Sequence, residues 1–358
     1  MTKKKQSTSK KEKSSILKIF LLVVLILLII GGISAYRIYK QIYLPNVVLK
    51  NKQVEYLYIP TGAAFEDVVS VLEKSNLIDD KGSFEWLAEK KNYKNHVLAG
   101  RYKIKNKMNN NQLINLLRSG DQEPVQFVFN NIRTKEQLAS KIAAQIEADS
   151  SSVIDLLNDK DFLSKYGFNS ETVIALFIPN TYEMYWNLSA EDFFKKMAKE
   201  YKKFWTEERK SKAAEIGLTQ TDVSIIASIV QEETIKNDEK PIVAGAYINR
   251  LNKNMLLQAD PTVRFGIGDF TIKRILNKHL KYNSPYNTYI YKGLPPGPIC
   301  LPSISSIDAV LNYKKHDYIY FCAKEDFSGY HNFAKTADQH IQNAKRYQRE
   351  LNRRKIMK

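Results

Sequence analysis

An uncharged run of 18 residues, Ile19–Tyr36, constrains this chain more than any other stretch. It is dominated by Leu, Ile and Val, and as a helix it spans about 27 Å, close to one bilayer core. In lipid such a segment must be helical, because no water is present to satisfy its backbone. Lys3, Lys4, Lys5, Lys10, Lys11, Lys13 and Lys18 stand before or at the edge of the run against Glu12 alone, which leaves the first 18 residues at +6. Lysines ahead of a span hold the N-terminus in the cytoplasm and send the rest of the chain outside. A cleaved signal peptide is the competing reading, with Gly31-Gly32-Ile33-Ser34-Ala35 as a weak cleavage site. The length of the apolar run favours a retained anchor.

Beyond the tail, the chain keeps +11 of its formal charge of +17. A basic exported body suits an anionic surface, such as membrane headgroups or cell-wall polymer, although the charge also serves solubility. Nucleic acid is not an expected partner outside a membrane. With 358 residues, 44% of them hydrophobic and 11% aromatic, the chain holds enough apolar mass for two or three packed domains. Cys300 and Cys322 are too few for a disulfide framework and have no CxxC spacing. No HExxH, GxSxG, phosphate loop, GxGxxG or fixed-period repeat occurs, so neither a metal nor another cofactor is expected.

After a connector over 37–52, Val54–Ile59 alternates as a strand and stops at Pro60. Helical spacing follows over Phe65–Asn76 and Ser83–Lys91, then a strand over Gly100–Ile104 and a helix over Asn110–Arg118. Strand, two helices, strand is the layout of a small carbohydrate-binding module of LysM type, and equally of a spacer domain. Further on, Val125–Phe129 reads as a strand. Thr134-Lys135-Glu136-Gln137 is a capping box opening a helix to about Ala148, and Ser152–Asn158 is a short helix. Leu176-Phe177-Ile178 is ended by Pro179. Ser189 caps a helix predicted to run to about Ile216. Another helix spans Pro241–Asn252, and the last hundred residues are turn-rich. Leu257–Thr262, Ser284–Tyr289 and Gly293–Pro298 read as loops, Tyr318–Ala323 as a strand, and Ala337–Arg354 as a basic helix.

Thr219, followed three residues later by Asp222, starts a helix in which Val223, Ile226, Ile229 and Val230 share one face. At about 100° per residue, Glu233 falls inside that apolar stripe and Glu232 at its edge. A carboxylate held against apolar side chains loses hydration and its pKa rises. Such a Glu can serve as a general acid and then as a base. The competing reading is a Glu that turns to solvent or pairs with a basic residue near a helix end.

Five motifs follow one another in order. They are Ala227-Ser228-Ile229-Val230-Gln231-Glu232-Glu233-Thr234, Ile248-Asn249-Arg250-Leu251, Leu257-Gln258-Ala259-Asp260-Pro261-Thr262-Val263, Tyr286-Asn287-Thr288-Tyr289 and Gly293-Leu294-Pro295-Pro296-Gly297. This series resembles the endolytic murein transglycosylase (YceG-like) family. Pro179-Asn180-Thr181-Tyr182 resembles the family's Pro-Asp-Thr-Tyr element, with Asn in place of Asp. The resemblance implies a bitopic inner-membrane protein with its catalytic domain on the periplasmic side. It implies cleavage of nascent peptidoglycan glycan strands between MurNAc and GlcNAc, leaving 1,6-anhydro-MurNAc ends, beside peptidoglycan synthases. The family's catalytic Glu directly precedes Thr and maps to Glu233. The first Glu of its Glu-x-Glu-Thr motif falls on Gln231 here.

A single carboxyl group suffices for that reaction. In the reaction that the resemblance implies, Glu233 would protonate the glycosidic oxygen as an acid and then, as a base, help the MurNAc O6 hydroxyl attack C1. Ordinary glycosidases need a carboxylate pair, and a hydrolase using Glu233 with Asp260 is the rival enzyme class. A non-catalytic wall-binding scaffold is the rival outside enzymology. Gln258, Asp260, Asn287, Tyr289 and Tyr182 are candidates for holding the sugars, and His331 is a further pocket candidate. The expected fold is α+β. Residues 1–18 are a basic tail, 19–36 the transmembrane helix, 37–52 the connector and 53–122 the LysM-like module. Residues 123–358 form a larger, helix-rich catalytic domain with short strands.

Overall fold

The structure, a computed structural model, describes residues 5–129 and 132–354. Lys3 and Lys4 of the expected tail lie outside the described residues. The described chain is a helix-rich α+β protein of two compact units, Met1–Pro124 with Tyr185–Asn187, and Val125–Met184 with Leu188–Lys358.

In the first unit, helix α1 covers Lys5–Tyr43, and its Ser15–Tyr43 part is long and apolar enough to cross a membrane. Leu, Ile and Val along it stand exposed rather than packed, as a lipid-facing helix requires. Next come β1 (Val54–Ile59), α2 (Phe65–Lys74), α3 (Lys81–Lys90), β2 (Gly100–Lys105) and α4 (Asn110–Ser119). Strands β1 and β2 pair antiparallel from Val54↔Lys105 to Ile59↔Gly100. Their alternation turns Leu57, Ile59, Tyr102 and Ile104 inward against Val68, Leu72, Phe84, Leu87, Leu113 and Leu117. The helices start where short polar side chains cap them. Asp80 accepts from the Ser83 amide at 3.0 Å, and Asn109 forms a capping box with Gln112. Asn110 joins the end of α1 to this body by donating to the Gln41 carbonyl at 2.9 Å.

The second unit runs β3 (Val125–Val128), α5 (Lys135–Ala143), α6 (Ser150–Asn158), α7 (Lys160–Ser164), β4 (Thr181–Met184), α8 (Ala190–Phe204) and α9 (Glu207–Glu215). It continues with α10 (Gln220–Glu233), α11 (Lys240–Asn252), α12 (Asp260–Ile267), α13 (Ile304–Leu311), β5 (Tyr320–Ala323), β6 (His331–Ala334) and α14 (Ala337–Arg353). Two antiparallel ribbons, β3–β4 and β5–β6, supply its sheet. An aromatic cluster of Phe127, Phe129, Phe177, Phe193 and Phe194 fills one part of the core.

Helix α10 is the axis of that core, and it packs against α11, α12 and α13. The sequence suggests a one-sided apolar stripe, but every residue from Val223 to Val230 is buried. Small side chains explain this. Ser224, Ala227 and Ser228 let neighbours approach closely, and the two hydroxyls are satisfied locally. Ser224 Oγ donates to the Gln220 carbonyl at 3.1 Å and Ser228 Oγ to that of Ile225 at 2.7 Å.

Three sequence expectations need correction. The helix predicted from Ser189 to Ile216 is two helices. Trp205, almost fully buried, leaves helical geometry, and Thr206 caps α9 by accepting from the Arg209 amide. The helix after Thr134 stops at Ala143 rather than Ala148. Finally, Leu257–Thr262 is not all loop, because Asp260 and Pro261 form the first turn of α12, where a proline lacks no needed amide.

Candidate active site

Helix α10 ends at Glu233, and Thr234 turns into extended backbone with φ −143° and ψ 137°. The last side chain of a buried helix is thereby delivered to the floor of a cavity of about 360 Å³. Glu233, Tyr247, Arg250, Gln258, Asp260 and Tyr289 line one part of it. The β5–β6 ribbon supplies another wall through Tyr320, Phe321, Cys322, Ala323 and His331.

Tyr247, on α11 and almost fully buried, donates its hydroxyl to Glu233 Oε1 at 2.7 Å. Burial pushes the Glu233 carboxyl up to about 7. The Tyr247 bond and Arg264 oppose the rise, while the charges of Asp260 and Glu232 add to it. Glu233 still keeps partial exposure to the cavity, so its proton is accessible. Burial raises the Tyr247 phenol well above its ordinary value, and it remains a donor.

Asp260 is exposed at the mouth and accepts from the Tyr289 hydroxyl at 2.6 Å. Burial, with the Asp260 hydrogen bond next, raises the Tyr289 phenol. Gln258 adopts the left-handed region at φ 53°, uncommon for a residue other than Gly. Its conformation is held by its amide, which donates to the Thr288 carbonyl at 3.1 Å, and by Arg250 Nη1 on its side-chain oxygen at 3.2 Å. Arg250 is buried and ties the wall together. It also donates to the carbonyls of Leu256, Leu257 and Ile319.

Four of the sequence candidates, Glu233, Gln258, Asp260 and Tyr289, thus meet in one cavity, and His331 joins them from β6. Two others lie elsewhere. Asn287 is fully buried, and its amide braces a loop by donating to the Leu280 and Tyr282 carbonyls at 3.0 and 2.8 Å. Tyr182 sits on β4 opposite Phe127, packs edge-on to Phe129 and donates to the Ile178 carbonyl at 2.6 Å. Its ring therefore belongs to the core, not to the cavity wall. Glu232 turns away and meets Arg133 Nη2 at 3.1 Å.

Gln231 links α10 to the segment before α13. Its oxygen accepts from the Ser303 amide at 2.6 Å, and its Nε2 donates to the Leu301 carbonyl at 3.3 Å. A Glu at this position has no proton to donate when ionised, so Gln231 makes one bond that a carboxylate cannot. Cys300 is buried beside Ser228, whereas Cys322 lies on β5, and both are free thiols. Sequence reasoning missed Tyr247 and Arg250 as site residues. The available signal was the Ile248–Leu251 motif, read on a helix whose inward face carries residues 247 and 250.

The family model described as YceG-like matches residues 57–346. A Bacillus subtilis (strain 168) protein named endolytic murein transglycosylase is 30% identical over 326 residues, covering 87% of this chain and 89% of the relative. A protein of the same name from Streptococcus pneumoniae (strain ATCC BAA-255 / R6) is 27% identical over 327 residues. That match covers 82% of this chain but only 58% of the pneumococcal protein. A crystal structure of a YceG-like protein from Listeria monocytogenes aligns with a TM-score of 0.54 at 28% identity, covering 81% of this chain and 98% of that one. With the family match running from β1 into α14, this chain belongs to the YceG-like family.

Proposed function

We propose that this chain is a membrane-anchored endolytic murein transglycosylase in which Glu233 acts first as general acid and then as general base. One observation carries the reading: a carboxyl group raised to about 7 at the floor of an open cavity, its Oε1 taken by Tyr247. With Oε1 engaged, Oε2 holds the proton. Transfer of that proton to the glycosidic oxygen breaks the bond between MurNAc C1 and the GlcNAc oxygen, which leaves as a hydroxyl. Positive charge develops at C1 while Glu233 becomes a carboxylate, which the Tyr247 hydrogen bond favours. The MurNAc O6 hydroxyl then attacks C1 and gives its proton to Glu233. A 1,6-anhydro ring closes, no water is consumed, and the enzyme returns to its starting protonation.

In this reading Asp260 supplies field rather than chemistry. Its negative charge helps keep Glu233 protonated, and Tyr289 fixes its position. The β1-α2-α3-β2 order supports a LysM-like carbohydrate-binding module over residues 53–122, with residues 123–358 as the catalytic domain. Helix α1 supports a single-pass anchor, with the lysine-rich end cytoplasmic and the folded part outside.

Mass spectrometry of products from purified, uncross-linked glycan strands tests the proposal. Anhydro-MurNAc ends are the expected result. Reducing ends point to the hydrolase that pairs Glu233 with Asp260, and absence of cleavage points to a wall-binding scaffold.

A further inference from the structure

The single-Glu mechanism leaves one built feature of the cavity unused. His331 opens β6 and lines the same cavity as Glu233. Its ring is locked from behind by Glu239, the residue that precedes α11 and is itself only 3% exposed. Glu239 Oε2 lies 2.8 Å from His331 Nδ1, and Oε1 accepts the His331 backbone amide at 2.7 Å. A carboxylate oxygen against Nδ1 favours the tautomer whose proton sits there, and in that tautomer the lone pair is on Nε2. Among the described residues, Nε2 has no hydrogen-bond partner. The ring also stands edge-on to Phe321 at 5.4 Å, and Phe321 stands edge-on to Tyr247 at 5.7 Å. Phe321 is therefore the spacer between the Tyr247–Glu233 pair and the imidazole, which sets His331 apart from the Glu233 carboxyl within the same cavity.

We infer that His331 is a substrate-positioning residue whose Nε2 accepts a hydrogen bond from a sugar hydroxyl, with Glu239 setting the tautomer and angle of the ring. This rests on the glycan-cleaving role proposed above. Burying a carboxylate merely to hold the first residue of β6 is costly, whereas orienting an acceptor toward a polyhydroxylated ligand uses that cost. An interaction made equally in the bound and transition states changes KM and leaves kcat alone.

The test uses the full-length protein in detergent, purified glycan strands, and mass-spectrometric counting of anhydro ends. His331→Asn keeps an amide that can donate to Glu239 but has nothing at the place of Nε2. His331→Gln carries an amide oxygen toward that place. KM is expected to rise about tenfold in His331→Asn, with kcat within about threefold of the parent, and His331→Gln should recover most of the loss. Glu239→Gln, which loosens the ring but leaves Nε2, should raise KM by a smaller factor. If His331→Asn does not fold, as judged by its thermal melt, the Gln variants of both positions carry the same comparison.

An unchanged KM in the folded variants overturns the inference. So does a fall in kcat equal to the fall in kcat/KM, because it assigns His331 a proton-transfer role. Equal damage by Asn and Gln at position 331 overturns it too, since that marks a structural role. A parent protein that makes no anhydro ends overturns the transglycosylase reading and this inference together. A working parent with an indifferent His331→Asn overturns this inference alone.

Discussion

At the scale of single residues, the proposed reaction depends on how Glu233 holds its proton. Glu233→Gln removes the proton and keeps the size, so cleavage should vanish in the strand assay while the thermal melt stays cooperative. The same variant makes a stability prediction. In the folded state the Glu233 carboxyl is raised to about 7 from its ordinary 4.5, so the folded protein binds this proton more tightly than the unfolded chain. The parent therefore loses stability as pH rises through the window from 4.5 to about 7. Glu233→Gln escapes that loss. It should be more stable than the parent by about 1–3 kcal/mol at a pH of about 8, with the difference shrinking toward zero at about pH 4. Equal melting temperatures at both pH values would show that burial does not raise this group.

Two neighbours tune the same proton in opposite directions. Tyr247→Phe deletes a hydrogen bond that favours the carboxylate, so the alkaline limb of the kcat/KM profile should move to higher pH. Asp260→Asn deletes a charge that favours the protonated form, so that limb should move lower, while the product keeps its anhydro end. A reducing-end product from the parent enzyme, with rates down by several orders of magnitude in Asp260→Asn, would instead make Asp260 a reacting carboxylate.

At the scale of elements, caps and periodicity were readable and breaks were not. Thr219 with Asp222 marks the start of α10, and the structure has that capping box. The break at Trp205 was missed because α8 and α9 together keep a helical pattern, and only burial of the indole forces the turn. The Gly293–Gly297 loop gives a prediction of its own. A Cβ on Gly297 would lie 1.9 Å from the Glu171 carbonyl oxygen, a backbone atom that cannot swing aside. Gly297→Ala should therefore cost about 1–3 kcal/mol or more and lower the melting temperature by several degrees. A melt unchanged from the parent's would mean that the loop relaxes freely.

At the scale of the whole molecule, the proposed location rests on α1, which is long and apolar enough to cross a membrane. Protease added to spheroplasts should digest the folded part while the chain remains membrane-bound, and release of a shortened soluble protein would support a cleaved signal instead. The apolar run of Ile19–Tyr36, the order of β1, α2, α3, β2 and α4, and the place of Glu233 on the apolar face of a helix were legible in the sequence, because each depends on residues within a few turns of one another. The cavity was not. Its walls come from α10, α11, the start of α12, the loop at Tyr289 and the β5–β6 ribbon, which span nearly a hundred residues between Glu233 and His331. No local period records that Tyr247 meets Glu233 or that Glu239 lies behind His331. Similarly, Tyr182 and Asn287 have the composition of sugar-binding residues, and only packing sends one ring into the core and one amide onto loop carbonyls. Propensity acts along the chain, whereas burial and pairing depend on which distant surfaces the fold brings together, and here those distant contacts set the proton affinity of Glu233.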